Sequence, residues 1–227
     1  MLPGTSASPL STVGGSITFS TPGTFSWVPP ASFNQMTVKI WGAGGAGGQA
    51  SVFYATGFGG QGGGYTEWNI PVGSLYSNEV IIVGLGGSQN YRPGGYSVFG
   101  NYAWARGGFG GLDNTSGSFY TAQEYYAPVP RGFNKMAEEY GANPGYIGFP
   151  NGTAGVNGGG GGGAYTNTAG PSGYGGASTG GGRGGSGGSY KPNTGFSPGG
   201  GGGAYDTTQS PFVVGSGGNG QVTITWT

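Results

Sequence analysis

The side chains able to do chemistry are few. The chain of 227 residues holds no cysteine and no histidine, and seven Lys+Arg balance seven Asp+Glu. Without histidine or cysteine, no Ser-His-Asp or Cys-His nucleophilic centre and no Cys/His zinc site can be assembled. The carboxylates are Glu67, Glu79, Asp113, Glu124, Glu138, Glu139 and Asp206. A glycosidase needs two, roughly 5–9 Å apart, but no pair here has a diagnostic setting. The expectation is a protein that is not an enzyme and carries no cofactor or metal. Arg106-Gly107-Gly108-Phe109-Gly110-Gly111 and Arg183-Gly184-Gly185 have the form of RNA-binding RGG boxes. Binding phosphates needs a basic patch, and the net charge is zero, so nucleic acid is not an expected partner. Gly42-Ala43-Gly44-Gly45-Ala46-Gly47-Gly48 superficially matches a phosphate loop. No Gly-Lys-Ser/Thr follows it, and no helix starts in such glycine.

Recognition is better served by the aromatics Phe119, Tyr120, Tyr125, Tyr126, Phe133, Tyr140, Tyr146 and Phe149. They crowd into residues 112–157 with Asp113, Glu124, Arg131, Lys135, Glu138 and Glu139. Tyr and Trp on loops supply rigid amphipathic contact area, as in antibody paratopes and sugar sites. Two readings stand side by side: a surface contacting a receptor or partner, and a local core or subunit interface under a long loop. The segment reads as an insertion, with one short helix over 134–140.

The elements that must position these residues are strands. Ile17–Phe19 and Thr24–Trp27 flank the turn dipeptide Pro22-Gly23. Met36–Trp41 alternates, with Met36, Val38 and Ile40 on one face and Thr37, Lys39 and Trp41 on the other. Tyr65–Ile70 and Val80–Leu85 follow, with weaker candidates at Tyr96–Phe99 and Tyr102–Ala105. Gln221–Trp226 closes the chain with the same period, placing Val222, Ile224 and Trp226 together. Strands at both ends predict an all-β protein with almost no helix, an antiparallel β-sandwich or jelly-roll-like domain over 13–227. Residues 1–12, with Pro3 and Pro9, read as an extended arm. The start has no basic, apolar leader, so no signal peptide is expected. The longest apolar run, Val80-Ile81-Ile82-Val83, is too short to insert in a membrane.

Glycine dominates the rest: 60 residues. It does not recur every third position, which excludes collagen. Such content is common in disordered chains, but five Trp, fifteen Tyr and twelve Phe are not. Gly158–Gly163 followed by Ala164-Tyr165-Thr166 is repeated as Gly199–Gly203 followed by Ala204-Tyr205-Asp206, and Gly62-Gly63-Gly64-Tyr65-Thr66 is a shorter version. Backbone without Cβ allows extended left-handed helices of the polyproline II type to pack side by side and exchange N–H···O=C bonds. Ordered tracts of this polyglycine II kind, clamped by Tyr165 and Tyr205, are therefore expected in preference to flexible linkers.

The ordered signals Gly23-Thr24-Phe25-Ser26-Trp27-Val28-Pro29, Thr37-Val38-Lys39-Ile40-Trp41-Gly42-Ala43-Gly44-Gly45, Gly62-Gly63-Gly64-Tyr65, Val83-Gly84-Leu85-Gly86-Gly87, Gly94-Gly95-Tyr96-Ser97-Val98-Phe99-Gly100 and Gly220–Trp226 resemble the glycine-rich domain of phage tail and fibre proteins and related bacterial surface proteins. The resemblance covers about residues 15–227, with 112–157 departing from it. It implies a component exposed on a virion, a fibre, spike or decoration subunit contributing to host attachment; the alternatives are a purely architectural subunit bridging other virion proteins and a cellular glycine-rich surface or matrix protein. Its expected partners are other virion proteins, copies of itself as a homo-oligomer (a trimer above all), and a host-surface glycan or protein.

Overall fold

The computed structural model describes residues 14–50, 56–71, 73–75, 78–88, 92–111, 151–166, 173–188, 192–206 and 214–227. They form two four-stranded antiparallel sheets facing each other, with no helix among the described residues. The strands are β1 (Gly15–Phe19), β2 (Gly23–Trp27), β3 (Met36–Trp41), β4 (Gln49–Ala50), β5 (Thr56–Gly57), β6 (Tyr65–Ile70), β7 (Glu79–Val83), β8 (Ser97–Phe99), β9 (Ala103–Ala105), β10 (Tyr165–Thr166), β11 (Tyr205–Asp206) and β12 (Gln221–Trp226). One sheet runs β1-β12-β3-β6 and the other β2-β7-β8-β9. Strands β3, β6 and β12 fall where the alternation of side chains predicts them. The strand expected over Val80–Leu85 instead ends at Val83, because Gly84 onward pairs with glycine segments rather than with a sheet. The runs around Pro22-Gly23 do not pair as a hairpin: β1 and β2 belong to different sheets.

Register aligns the apolar faces. Across the first sheet Phe19, Val222, Ile40 and Thr66 form one row and Ile17, Ile224, Val38 and Trp68 the next. These rows meet Ile81, Val83, Phe99 and Ala105 of the second sheet to make the core. Thr66, fully buried, satisfies its hydroxyl by donating to the Trp104 carbonyl at 2.8 Å, which ties β6 to β9. The opposite face of the first sheet pairs polar groups: Ser16 with Thr225, Thr18 with Thr223, Thr37 with Asn69, and Lys39 with Glu67.

Beyond the sandwich the strands continue as a bundle of extended glycine segments. Segments 42–48, 84–88, 106–111, 158–164, 182–188 and 199–204 run away from the sheets, and 58–64, 92–96, 151–157, 173–177, 192–198 and 214–220 return. Segment 42–48, the continuation of the central strand β3, shows the packing rule. Gly42, Gly45 and Gly48 donate to Gly64, Gln61 and Phe58; Ala43 and Ala46 donate to Gly95 and Arg92; Gly44 and Gly47 donate to Gly218 and Gly215, all at 2.8–3.0 Å. Successive N–H groups thus point to three different neighbours and repeat every third residue, the period of a polyglycine II helix. Its carbonyls accept from Gly108 and Gly111, from Gly87, and from Gly202 of three further segments. Segment 42–48 therefore has six neighbours, in hexagonal packing. Segment 199–204 is surrounded in the same way, by 42–48, 58–64, 158–164, 182–188, 192–198 and 214–220.

Such closeness leaves no room for a Cβ at most positions, although Ala43 and Ala46 each fit a methyl group. A Cβ on Gly45 would collide with the Phe109 carbonyl, one on Gly201 with that of Gly60, and one on Gly202 with that of Gly215. Segments reverse near the sheets where space is equally tight. Gly199, at φ +79°, takes the left-handed conformation that turns 192–198 into 199–204, and its carbonyl accepts from Gly63.

The tracts expected to be ordered are ordered, and their packing predicts a measurable cost. Gly45→Ala and Gly201→Ala each force a Cβ against the backbone of a neighbouring segment, which is itself held by further neighbours. Each is expected to destabilise the domain by about 3 kcal/mol or more, at the upper end of overpacking. Ala43→Gly, at a buried position that already carries a methyl group, is expected to cost about 1 kcal/mol. Urea unfolding of the three variants checks this ordering; midpoints for the first two equal to wild type would contradict the close packing.

Candidate functional site

The bundle has two unlike ends. At the sandwich end, the junction of strand and glycine helix is closed by rings: Trp41 and Tyr65 lie with centroids 5.1 Å apart, and the Trp41 indole N–H donates to the Asn157 carbonyl at 2.8 Å. At the other end, short strand pairs finish the longest segments: β10 pairs antiparallel with β5, and β11 pairs parallel with β4. The tract-then-tyrosine repeats thus end on strands next to one another. The side chains of Tyr165 and Tyr205, expected as clamps, are outside what is described.

The out-and-back order of the segments has one large consequence for recognition. Segments 42–48, 84–88, 106–111, 158–164, 182–188 and 199–204 all finish at the far end, and each returning segment begins there. Residues 50, 88, 111, 166, 188 and 206 leave this end, and 56, 92, 151, 173, 192 and 214 re-enter it. Every connection between an outgoing and a returning segment is consequently attached to the face opposite the sandwich.

The aromatic set Phe119, Tyr120, Tyr125, Tyr126, Phe133, Tyr140, Tyr146 and Phe149, and the helix expected over 134–140, lie outside the described residues. The residues that bracket them do not. The Gly111 N–H donates to Ala46 at 2.8 Å, and the Asn151 side chain accepts the Tyr174 N–H at 2.8 Å, so both stand at the far end. The stretch 112–157 set apart by composition is not uniform: Gly152 and Gly155 donate to Tyr174 and Ala177 as members of the bundle.

Other sequence candidates find structural roles. In Arg106-Gly107-Gly108-Phe109, the Arg106 guanidinium lies 5.4 Å from the centre of the Phe109 ring, and Gly107 and Gly108 occupy bundle positions that a Cβ would block. The glycines of 42–48 form the central helix and open no phosphate loop. Glu67 sits on the outer face of β6 with Lys39 at 3.8 Å and the Tyr65 hydroxyl at 2.5 Å. Glu79 is buried on β7, in the other sheet, beside Tyr102. The structure does not bring these two carboxylates together on one face. Among the described residues no cluster of three His, Cys, Asp or Glu could hold a metal ion, and no helix is long and apolar enough to cross a membrane.

What residue-type reasoning missed is a lateral groove of about 550 Å³ between segments 182–188 and 192–198, lined by Arg183, Ser186, Asn193, Thr194, Phe196 and Ser197 over Gly184, Gly185 and Gly195. Arg183 was visible in sequence as part of an RGG triplet. Its partner across the groove, Phe196, lies thirteen residues on in sequence and carried no local signal.

A β-sandwich prolonged by a hexagonal bundle of glycine helices, with its connections gathered at one end, defines a glycine-rich scaffold class. The glycine-rich domain family model matches residues 19–227, and the chain belongs to that family. Comparison with curated proteins finds no match.

The geometry separates a permissive end from an intolerant interior. A six-residue Gly/Ser insertion between Ala169 and Gly170 is expected to lower stability by less than about 1 kcal/mol, since lengthening a connection costs only loop entropy. One extra glycine inside 199–203 shifts the three-residue register and is expected to abolish cooperative unfolding. Thermal denaturation of both insertions distinguishes these outcomes.

Proposed function

We propose that this protein is a non-enzymatic structural component of a phage-like virion, a fibre, spike or decoration subunit that contributes to attachment at the host surface. The observation that carries the reading is the one-ended placement of the connections. A bundle built from backbone hydrogen bonds anchors its connections at the face opposite its sandwich. That is the arrangement an outward-displayed recognition surface requires, with a scaffold that does not change when the loops do. The family membership fits a glycine-rich scaffold, and the resemblance to phage tail and fibre domains supplies the virion setting.

Low charge supports the same reading: seven cations against seven anions leave little non-specific attraction for anionic cell surfaces. Selectivity then rests on rings and hydrogen bonds, chiefly those of the aromatic set from Phe119 to Phe149, acting on a glycan or protein of the host. Repetition on a particle multiplies weak individual contacts into useful avidity. The subunit works alongside other virion proteins and as a homo-oligomer, a trimer being the assembly proposed.

Particles or beads displaying many copies of the full chain are expected to adhere to host cells. Deleting residues 119–149 is expected to reduce that adhesion at least tenfold while cooperative unfolding persists. Absence of adhesion at virion-like valency would overturn the attachment reading and leave a purely architectural subunit.

A further inference from the structure

We infer that the lateral groove between segments 182–188 and 192–198 is a binding site for a carboxylated saccharide, such as a uronic or sialic acid residue of a surface glycan. The inference rests on the attachment reading above and names the ligand class and a second contact site for it.

The walls of the groove are fixed before any ligand arrives. The two segments run antiparallel in register: the Phe196 N–H donates to the Arg183 carbonyl at 2.8 Å and the Asn193 N–H to the Ser186 carbonyl at 2.9 Å. Phe196 is pinned from the other side as well, its carbonyl accepting from Gly200 at 2.8 Å, and the Asn193 carbonyl accepts from Gly203 at 3.0 Å. With this backbone locked into the hexagonal bundle, binding orders only side chains, and the entropic cost of forming the site is small.

The side chains divide the work of sugar recognition. Phe196 is 60% exposed although it is a large apolar ring on a rigid backbone. Burying a ring face against the C–H face of a pyranose is the contact that such a residue offers. The side chains of Asn193 and Thr194 form no hydrogen bond with other described residues, so their donors and acceptors are available to hydroxyl groups. Ser197 Oγ accepts the Asn219 N–H at 2.9 Å, which orients its remaining donor. The glycine floor of Gly184, Gly185 and Gly195 lets a ligand approach the main chain closely.

Charge selects the acidic sugar over the neutral one. Arg183 is exposed, and its guanidinium has no ion pair or hydrogen-bond partner among the described residues. Among the described residues, no acidic side chain lines the groove. A guanidinium fork matches a carboxylate with two parallel hydrogen bonds. Arg183 is the one cation among the described lining residues, too little for a nucleic acid backbone, whose affinity scales with the number of phosphates neutralised. A space of about 550 Å³ suits a short saccharide segment rather than a protein surface.

The test uses the full chain and immobilised oligosaccharides ending in a uronic or sialic acid, with their neutral methyl esters and their sulfated counterparts. Millimolar to sub-millimolar binding to the free acids is expected, at least tenfold weaker to the esters. Arg183→Gln is expected to lose about tenfold for the acids and little for the esters. Arg183→Lys is expected to recover only part of that loss. Phe196→Ala is expected to weaken acids and esters alike by about fivefold. Equal binding of acids and esters, preference for the sulfated forms, or indifference to Arg183→Gln overturns the inference. Multivalent adhesion to host cells, measured in parallel, separates it from the attachment reading. Adhesion unchanged in the R183Q/F196A double variant, with no acidic saccharide bound, defeats the groove and leaves attachment standing. Saccharide binding through Arg183 without any cell adhesion defeats attachment and leaves the groove.

Discussion

The structure depends on one constraint: every buried backbone N–H must find an acceptor, and in the bundle most find a carbonyl on a neighbouring segment, with a few served by side-chain oxygens such as Ser97 Oγ. In an α-helix that demand is met within the segment, and in a sheet by two neighbours. In the hexagonal bundle it is met by as many as six, and none can be omitted without leaving polar groups orphaned at about 1–3 kcal/mol each. The same geometry forbids a Cβ at most positions where two segments approach, Ala43, Ala46, Ala164 and Ala204 being the buried exceptions. Glycine is consequently required here by packing, even though ordering it costs more backbone entropy than ordering any other residue.

That cost explains why the bundle grows out of a sandwich. Extended glycine helices have no internal hydrogen bonds and no apolar side chains, so an isolated segment has nothing to hold it. The core of Val38, Ile40, Ile81, Phe99, Val222 and Ile224 supplies the hydrophobic term that the bundle lacks. Strands β3, β6, β7, β8, β9 and β12 then deliver glycine segments already aligned. The central strand leads into the central helix, 42–48, and Trp41, Tyr65 and the Asn157 carbonyl fasten the transition.

Legibility in the sequence followed the physics of each part. Strands with a two-residue period, such as Met36–Trp41 and Gln221–Trp226, were read with their boundaries intact because alternating burial leaves a record in residue type. That glycine tracts pack against each other was also readable, since they lie between strands and end at aromatics. Which tract meets which was not: the pairing of 42–48 with 214–220, or of 158–164 with 199–204, involves residues that are nearly all alike and carry no address. The short strands β4, β5, β10 and β11 are two residues long, below the length at which periodicity has meaning. The groove escaped for a related reason, because Arg183 and Phe196 meet only through inter-segment register.

The bundle also bears on how stability varies with temperature. Heat capacity rises on unfolding when apolar surface is exposed and falls when peptide groups are exposed. In 158–164 and 199–204 folding hides amides with only the glycine methylenes and the methyl groups of Ala164 and Ala204. These residues therefore contribute far less than the usual 12–15 cal/mol/K each, and by the sign of the polar term contribute towards zero or below. A protein divided between an ordinary apolar core and such a bundle has a flatter stability curve than its length implies. Reduced curvature, rather than a raised maximum, is then what would widen the span of temperature over which the fold persists.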